Sequence, residues 1–298
     1  MKPTRALLVL AAAFAVAAGR AVGAPIRVVT LSTVLTEIAR EVGGSEVVVS
    51  GLVRPGVDPH VFNPSPADIR MLVDADLVLA SGLRLEPYLE RVVASSAPSG
   101  LVVAVGDRVP LVLTMADGTS GAAEKDPHWW HSIGNVIFAT DLVRSELARL
   151  RPASAQAFAA NAGRYRRKLE ALQSWASLEA ARLPAGRRIL VTSHDAFAYL
   201  AHDYGFTVRP VSGLSTESEP DARRLAQLVD FVRAERVGAV FVESSASPRL
   251  VESLIAETGV RLGGTLYADG LGPAGSGAED YASMYRHNLS AIVDALAR

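Results

Sequence analysis

The 298-residue chain contains no cysteine. This excludes disulfides, thiolate metal ligands and thiol nucleophiles, and also the lipid-modified amino-terminal Cys of bacterial lipoproteins. Histidine is scarce, with six in the chain. No His-Glu-x-x-His occurs, so the helical pair used by many zinc hydrolases is absent. The formal net charge is −1, without the basic excess expected of a nucleic-acid binder. After residue 24, no apolar run approaches the roughly 20 residues that span a membrane.

The first 24 residues differ from the rest. Lys2 and Arg5 precede an apolar run from Ala6 to Ala18, followed by small residues at Ala21-Val22-Gly23-Ala24. This order describes a secretory signal peptide. Its removal takes three of the 30 basic residues, leaving 27 against 31 acidic ones. The expected mature product is an exported, soluble periplasmic protein, and a monomer.

From Ile26 onward, short Val- and Leu-rich runs alternate with helical ones. Ile26–Thr30, Val47–Val53, Leu77–Ala80 and Leu101–Val105 read as strands. Thr33–Val42, Ser65–Asp74 and Glu86–Ser95 read as helices. Ser65 suits an N-cap, Pro66 the first helical position and Asp68 the positive end of the helix dipole. Residues 115–127 show no periodicity and read as a loop, and Ile133–Leu150 as a helix. Ala153 to about Leu183 runs helical with only Gly163 as an internal breaker. It is either two helices or one long helix joining two domains. The alternation then resumes, with strands at Arg188–Ser193, Thr207–Val211, Val237–Glu243 and Arg261–Tyr267. The matching helices are Asp195–Tyr204, Pro220–Arg236, Pro248–Thr258 and Glu279–Ala297. Apolar strands separated by helices predict parallel sheets covered on both faces. The expected fold is α/β: an amino-terminal lobe over residues 25–152, a connecting helix over 153–183 and a carboxyl-terminal lobe over 184–298.

The tripeptide Asp58-Pro59-His60 returns as Asp126-Pro127-His128. Proline fixes its own φ and pushes the preceding residue out of the helical region, so each His sits on a stiffened loop. Ligands of open α/β sheets bind beyond the carboxyl ends of the strands. His60, His194 and Asp269 all leave predicted strands there, and His128 lies in the loop feeding a helix. Three imidazoles and a carboxylate form a set that Zn²⁺ takes tetrahedrally. His131 is an alternative to His128, an addition to it, or a helix cap. His202 and His287 fall on helices and read as ordinary hydrogen-bonding residues. Trp129 and Trp130 read as packing aromatics, and Glu243 as a residue that orients a ligand or caps a helix. Asp58, Asp126 and Asp195 flank the His residues as acceptors for imidazole N–H groups.

Several motifs occur in order: Pro-Gly-Val-Asp-Pro-His with Pro-Ser-Pro-Ala-Asp-Ile (55–69), Asp-Pro-His-Trp-Trp (126–130), Ser-His-Asp-Ala-Phe (193–197), Ser-Thr-Glu-Ser-Glu-Pro (215–220), Val-Glu-Ser-Ser (242–245) and Tyr-Ala-Asp-Gly-Leu-Gly (267–272). With them, the chain from Ile26 to its end resembles the metal-binding solute receptors of bacterial zinc- and manganese-type ABC importers. The resemblance implies two α/β lobes bridged by a long rigid helix, with one divalent metal held between them by His60, His128, His194 and Asp269. It also implies a membrane permease as partner. His rather than a carboxylate at the third ligand favours Zn²⁺ and leaves Mn²⁺ as the alternative. The His-rich loop that many zinc receptors carry before the second ligand is missing, since residues 115–127 contain no His. The Glu217 and Glu219 loop is structural or touches the permease. A zinc hydrolase is the weaker reading, because four protein ligands leave no position for water. An adhesin-like surface protein lacks an anchoring Cys.

Overall fold

A computed structural model describes residues 23–96, 100–116, 123–216 and 222–298. The expected signal segment falls almost wholly outside the described residues, as does the Glu217 and Glu219 segment.

The first lobe is built from β1 (Ile26–Thr30), α1 (Thr33–Gly43), β2 (Val47–Gly51), α2 (Pro66–Asp74), β3 (Leu77–Ala80), α3 (Leu89–Ser96) and β4 (Leu101–Ala104). Its four strands run parallel in the order β2-β1-β3-β4. A short antiparallel pair follows, β5 (Thr114–Ala116) and β6 (Ala123–Lys125), and then α4 (Ile133–Leu150) and α5 (Ala155–Ala180). The second lobe comprises β7 (Ile189–Thr192), α6 (Ala198–Tyr204), β8 (Thr207–Pro210), α7 (Ala222–Ala234), β9 (Val240–Glu243), α8 (Arg249–Thr258), β10 (Leu262–Leu266) and α9 (Tyr281–Ala297). Its strands are again parallel, in the order β10-β9-β7-β8. In each sheet the first strand has its successor on one side and the later strands on the other. That reversal opens a crevice at the strand ends, where α/β sheets hold ligands.

Local chemistry sets the element ends. Ser65 and Asp68 form a reciprocal capping box at the start of α2, with Pro66 in its first turn. The long stretch after Pro152 is one helix, with Gly163 inside it. At 26 residues α5 is about 39 Å long. Its buried residues are Phe158, Ala162, Tyr165, Leu169, Leu172, Ala176 and Ala180. Their steps are four, three, four, three, four and four residues, the spacing of a seam that interlocks with neighbouring helices. The neighbours are α1, α4 and α9, so the connecting helix is packed along its length. Tyr165 of α5 donates to Glu37 Oε1 of α1 at 2.8 Å, and the Tyr281 backbone N–H of α9 donates to Oε2 at 2.7 Å. Burial pushes the Glu37 carboxyl up to about 7 against these two hydrogen bonds.

Several boundaries differ from the expectation, among them β9, which starts at Val240 rather than Val237, and three segments have a local cause. The ends of the 115–127 loop pair as β5 and β6; strands of three residues are too short to show periodicity. Residues 86–88 precede α3 instead of starting it, because the buried Glu86 carboxylate accepts the Ser81 and Gly82 N–H groups at 2.6 and 3.0 Å. Residues 195–197 precede α6, where the Asp195 N–H donates to Gly213 O at 3.0 Å.

The fully buried Leu172 tests the α5 seam. Leu172→Ala should cost about 2–5 kcal/mol, read as a lower urea midpoint with an unchanged slope.

Candidate metal centre

Both Asp-Pro-His tripeptides form the same turn. Asp58 Oδ1 accepts the His60 backbone N–H at 2.8 Å, and Asp126 Oδ1 accepts that of His128 at 2.9 Å. The aspartate thus closes the loop over its proline and presents the imidazole outward. His194 leaves β7 and Asp269 leaves β10, in the second sheet. Gly270 follows Asp269 with φ +154°, and a Cβ there would strike the Thr33 hydroxyl. That hydroxyl accepts the Leu271 N–H at 2.8 Å, docking the Asp269 loop on the start of α1.

These loops bring His60, His128, His194 and Asp269 together, with one nitrogen or oxygen from each within 4.8 Å of all the others. His128 Nε2 lies 3.2 Å from His60 Nε2 and 3.3 Å from His194 Nε2. Asp269 Oδ1 lies 3.4 Å from His60 Nε2, 3.5 Å from His128 Nε2 and 3.4 Å from His194 Nε2. Oδ1 is buried without a hydrogen-bond partner, while Oδ2 accepts from Ser245 Oγ at 2.5 Å.

Neighbouring carboxylates aim the rings. Asp126 Oδ1 accepts from His128 Nδ1 at 2.7 Å. Glu243 takes His194 from both sides, with Oε2 on the ring Nδ1 and Oε1 accepting the His194 N–H at 3.1 Å. Burial draws the His128 imidazole down, but the Asp126 charge and hydrogen bond outweigh it and hold the group above its ordinary value. Burial likewise opposes charge on His194, and Glu243 and Asp269 override it, raising that imidazole well above its usual value. Burial also disfavours the Asp269 carboxylate, yet the His194 charge and the three imidazoles facing Oδ1 keep it well below the carboxylate range.

His131 stands apart from this group. Its Nε2–H donates to Ala268 O at 2.8 Å, and burial pulls its pKa down to about 3. It belongs to a buried turn that ties the lobes together. Within that turn Trp129 Nε1 donates to Ser81 O and Trp130 Nε1 to Ala268 O. Tyr281 and Tyr285 hydroxyls donate to the Trp130 and His131 carbonyls. His202 and His287 lie away from the site, on Asp203 and on Thr265 O respectively. Of the flanking acids, Asp126 holds a ring, Asp58 holds only the His60 backbone, and the His194 ring goes to Glu243 rather than Asp195. Glu243 ends a predicted strand, the sign by which the sequence marked it as a residue that orients a ligand, and it does so at the His194 ring. Its meeting with His194 follows from β7 and β9 being neighbours.

Asp126→Asn removes the charge that outweighs burial at His128. The His128 pKa, followed by NMR in metal-free protein, should fall below about 6.5. An unchanged value would remove Asp126 as the cause.

Residues 28–295 match the family described as ZnuA, zinc-uptake complex component A, periplasmic. The chain is 37% identical over 284 residues to the manganese-binding lipoprotein MntA of Bacillus subtilis (strain 168), covering 94% of this chain and 92% of that protein. It is 35% identical over 281 residues to the zinc-binding protein TroA of Treponema pallidum (strain Nichols), covering 93% and 90%. The solved structure of the periplasmic zinc-binding protein TroA from Treponema pallidum is similar with a TM-score of 0.85 at 34% identity, covering 92% of this chain and 99% of that one. With a family match over nearly its whole length, and the same fold, the chain belongs to the ZnuA family of periplasmic metal-binding receptors, which are substrate-binding proteins of ABC importers and not enzymes.

Proposed function

We propose that the protein captures one Zn²⁺ in the periplasm and delivers it to the membrane permease of an ABC importer. His60, His128, His194 and Asp269 are the four ligands, two from each lobe, and the working unit is a monomer. The lobes are residues 25–152 and 184–298, joined through 153–183, and residues 1–24 are the export signal. The observation that carries this reading is the spacing of the four atoms. Five of the six edges measure 3.2–3.5 Å and all four atoms lie within 4.8 Å of one another, close to the edges of about 3.3–3.6 Å of a tetrahedron with metal–ligand bonds of about 2.0–2.2 Å. Four protein donors close a tetrahedron and leave no open position for a reacting water, which suits cargo rather than catalysis. Among the described residues, no helix is long and apolar enough to cross a membrane.

Mn²⁺ is the second reading. The MntA relative is described as manganese-binding. Asp269 offers a second oxygen, now on Ser245, and a carboxylate turned to give both would raise the coordination number for a harder ion.

Metal analysis of protein purified without added metal should find one Zn²⁺ per chain, and equal Mn²⁺ should not displace it. Displacement by Mn²⁺ would overturn the choice of zinc. His194→Ala removes one of four donors and should weaken Zn²⁺ binding at least about a hundredfold; an unchanged affinity would remove His194 from the ligand set.

Proton competition gives a further test. In the metal-free protein His128 and His194 titrate above their ordinary value. Their protonated forms stabilise that state below the unfolded value of about 6.5, and the contribution is lost as pH rises through the raised values. Zn²⁺ needs the neutral rings, so binding releases protons. Its affinity, and the Tm rise it gives, should shrink from about pH 8 to about pH 6, approaching two protons released per metal. A flat affinity across that window would contradict three imidazole ligands.

A further inference from the structure

The two Asp-Pro-His turns use their carboxylates differently. Asp126 spends Oδ1 on both the backbone and the ring of His128. Asp58 spends Oδ1 on the His60 backbone only, and Oδ2 accepts from the Thr216 hydroxyl at 2.5 Å. Thr216 belongs to the other lobe, in the segment after β8. That segment is pinned to the His194 loop, because Ser212 donates through both its N–H and its hydroxyl to Ser193 O, each at 2.9 Å, and the Asp195 N–H donates to Gly213 O. A continuous path therefore runs from His194 through 212–216 and Asp58 to His60, crossing the cleft without passing through the four-atom cluster.

His60 is also the most accessible of the four. Its side chain is 7% exposed, against 0–1% for the other three. A cargo leaving the cluster separates first from the donor nearest solvent, and among the described residues no hydrogen bond holds the His60 ring at Nδ1. The position of that ring then depends on its backbone turn, and the turn depends on Asp58.

We infer that Thr216 is a positioning residue that locks the His60 turn from across the cleft and thereby slows metal release. It touches no ligand atom and acts through Asp58. This rests on the metal-receptor reading above for its consequence, but the lock itself is a protein hydrogen bond that includes no metal.

The test compares wild type, Thr216→Val and Thr216→Ser. Valine keeps the shape and removes the donor; serine restores the donor. Zn²⁺ dissociation into excess chelator should quicken about tenfold in the valine variant, the size of one hydrogen bond to a charged group, with association unchanged. The serine variant should match wild type, and the Tm of all three metal-free proteins should agree within a few degrees. Independently of metal, NMR exchange of the His60 amide in metal-free protein should speed in Thr216→Val, while that of the His128 amide stays constant. An unchanged His60 amide overturns the lock even if wild type binds no Zn²⁺, an outcome that would sink the receptor reading alone. Faster exchange with an unchanged dissociation rate overturns the role in release.

Discussion

An imidazole buried among other imidazoles must be told where to point. Three Nε2 atoms and one carboxylate oxygen crowd this cleft, with five of their six separations at 3.2–3.5 Å and all four side chains buried. Such crowding favours rings held from behind, since a free ring can turn its polar edge elsewhere and leave a neighbour unsatisfied; two of the three rings are held so, and His60 takes its position from its backbone turn. Asp126 holds one ring and Glu243 another. Both are themselves buried, so removing either imidazole would strand a charge. Ser245 settles one oxygen of Asp269 and leaves the other facing the three nitrogens. The rest of the fold exists to bring these four supported groups to one point.

The two sheets do this by repetition. Each places its first strand beside the point where strand order reverses, so each offers a crevice at its strand ends. The crevices face each other because the lobes are sewn together away from the cleft. Glu37 joins α1 to α5 and α9. The Trp129–His131 turn receives bonds from α9 and gives them to Ala268. Arg286 of α9 lies over the Trp175 ring of α5, 4.3 Å from its centre. The seam of α5 runs under these ties as a common backing.

How much of this could be read beforehand follows from how local each signal is. Strand-exit position marked His60, His194 and Asp269, and the repeated tripeptide marked His128. Ser65, Pro66 and Asp68 announced the start of α2 within four residues of sequence. The single long α5 was legible as a proline-free stretch, although Gly163 left a two-helix reading open. Glu243 was not assigned to His194 because 49 residues separate them, and their contact comes from strand order, which no short window encodes. Asp195 was nearer in sequence and so drew attention to the wrong acid. His131 was undecidable for the same reason: its partner, Ala268, is a backbone carbonyl 137 residues away. Thr216 lay inside the Ser-Thr-Glu-Ser-Glu-Pro motif, but nothing in that motif pointed to Asp58, 158 residues away.

The two-by-two origin of the four groups also orders events in time. His60 and His128 come from the first half of the chain, and 209 residues separate His60 from Asp269. A chain emerging from its amino end exposes the first pair long before β10 is complete. Two imidazoles alone make a weak, fast-exchanging perch for any metal met on the way. The four groups come together only when the last strand has been laid down and the second sheet has docked. Splitting the four groups across both halves makes the complete set a property of the whole fold, which neither half carries alone.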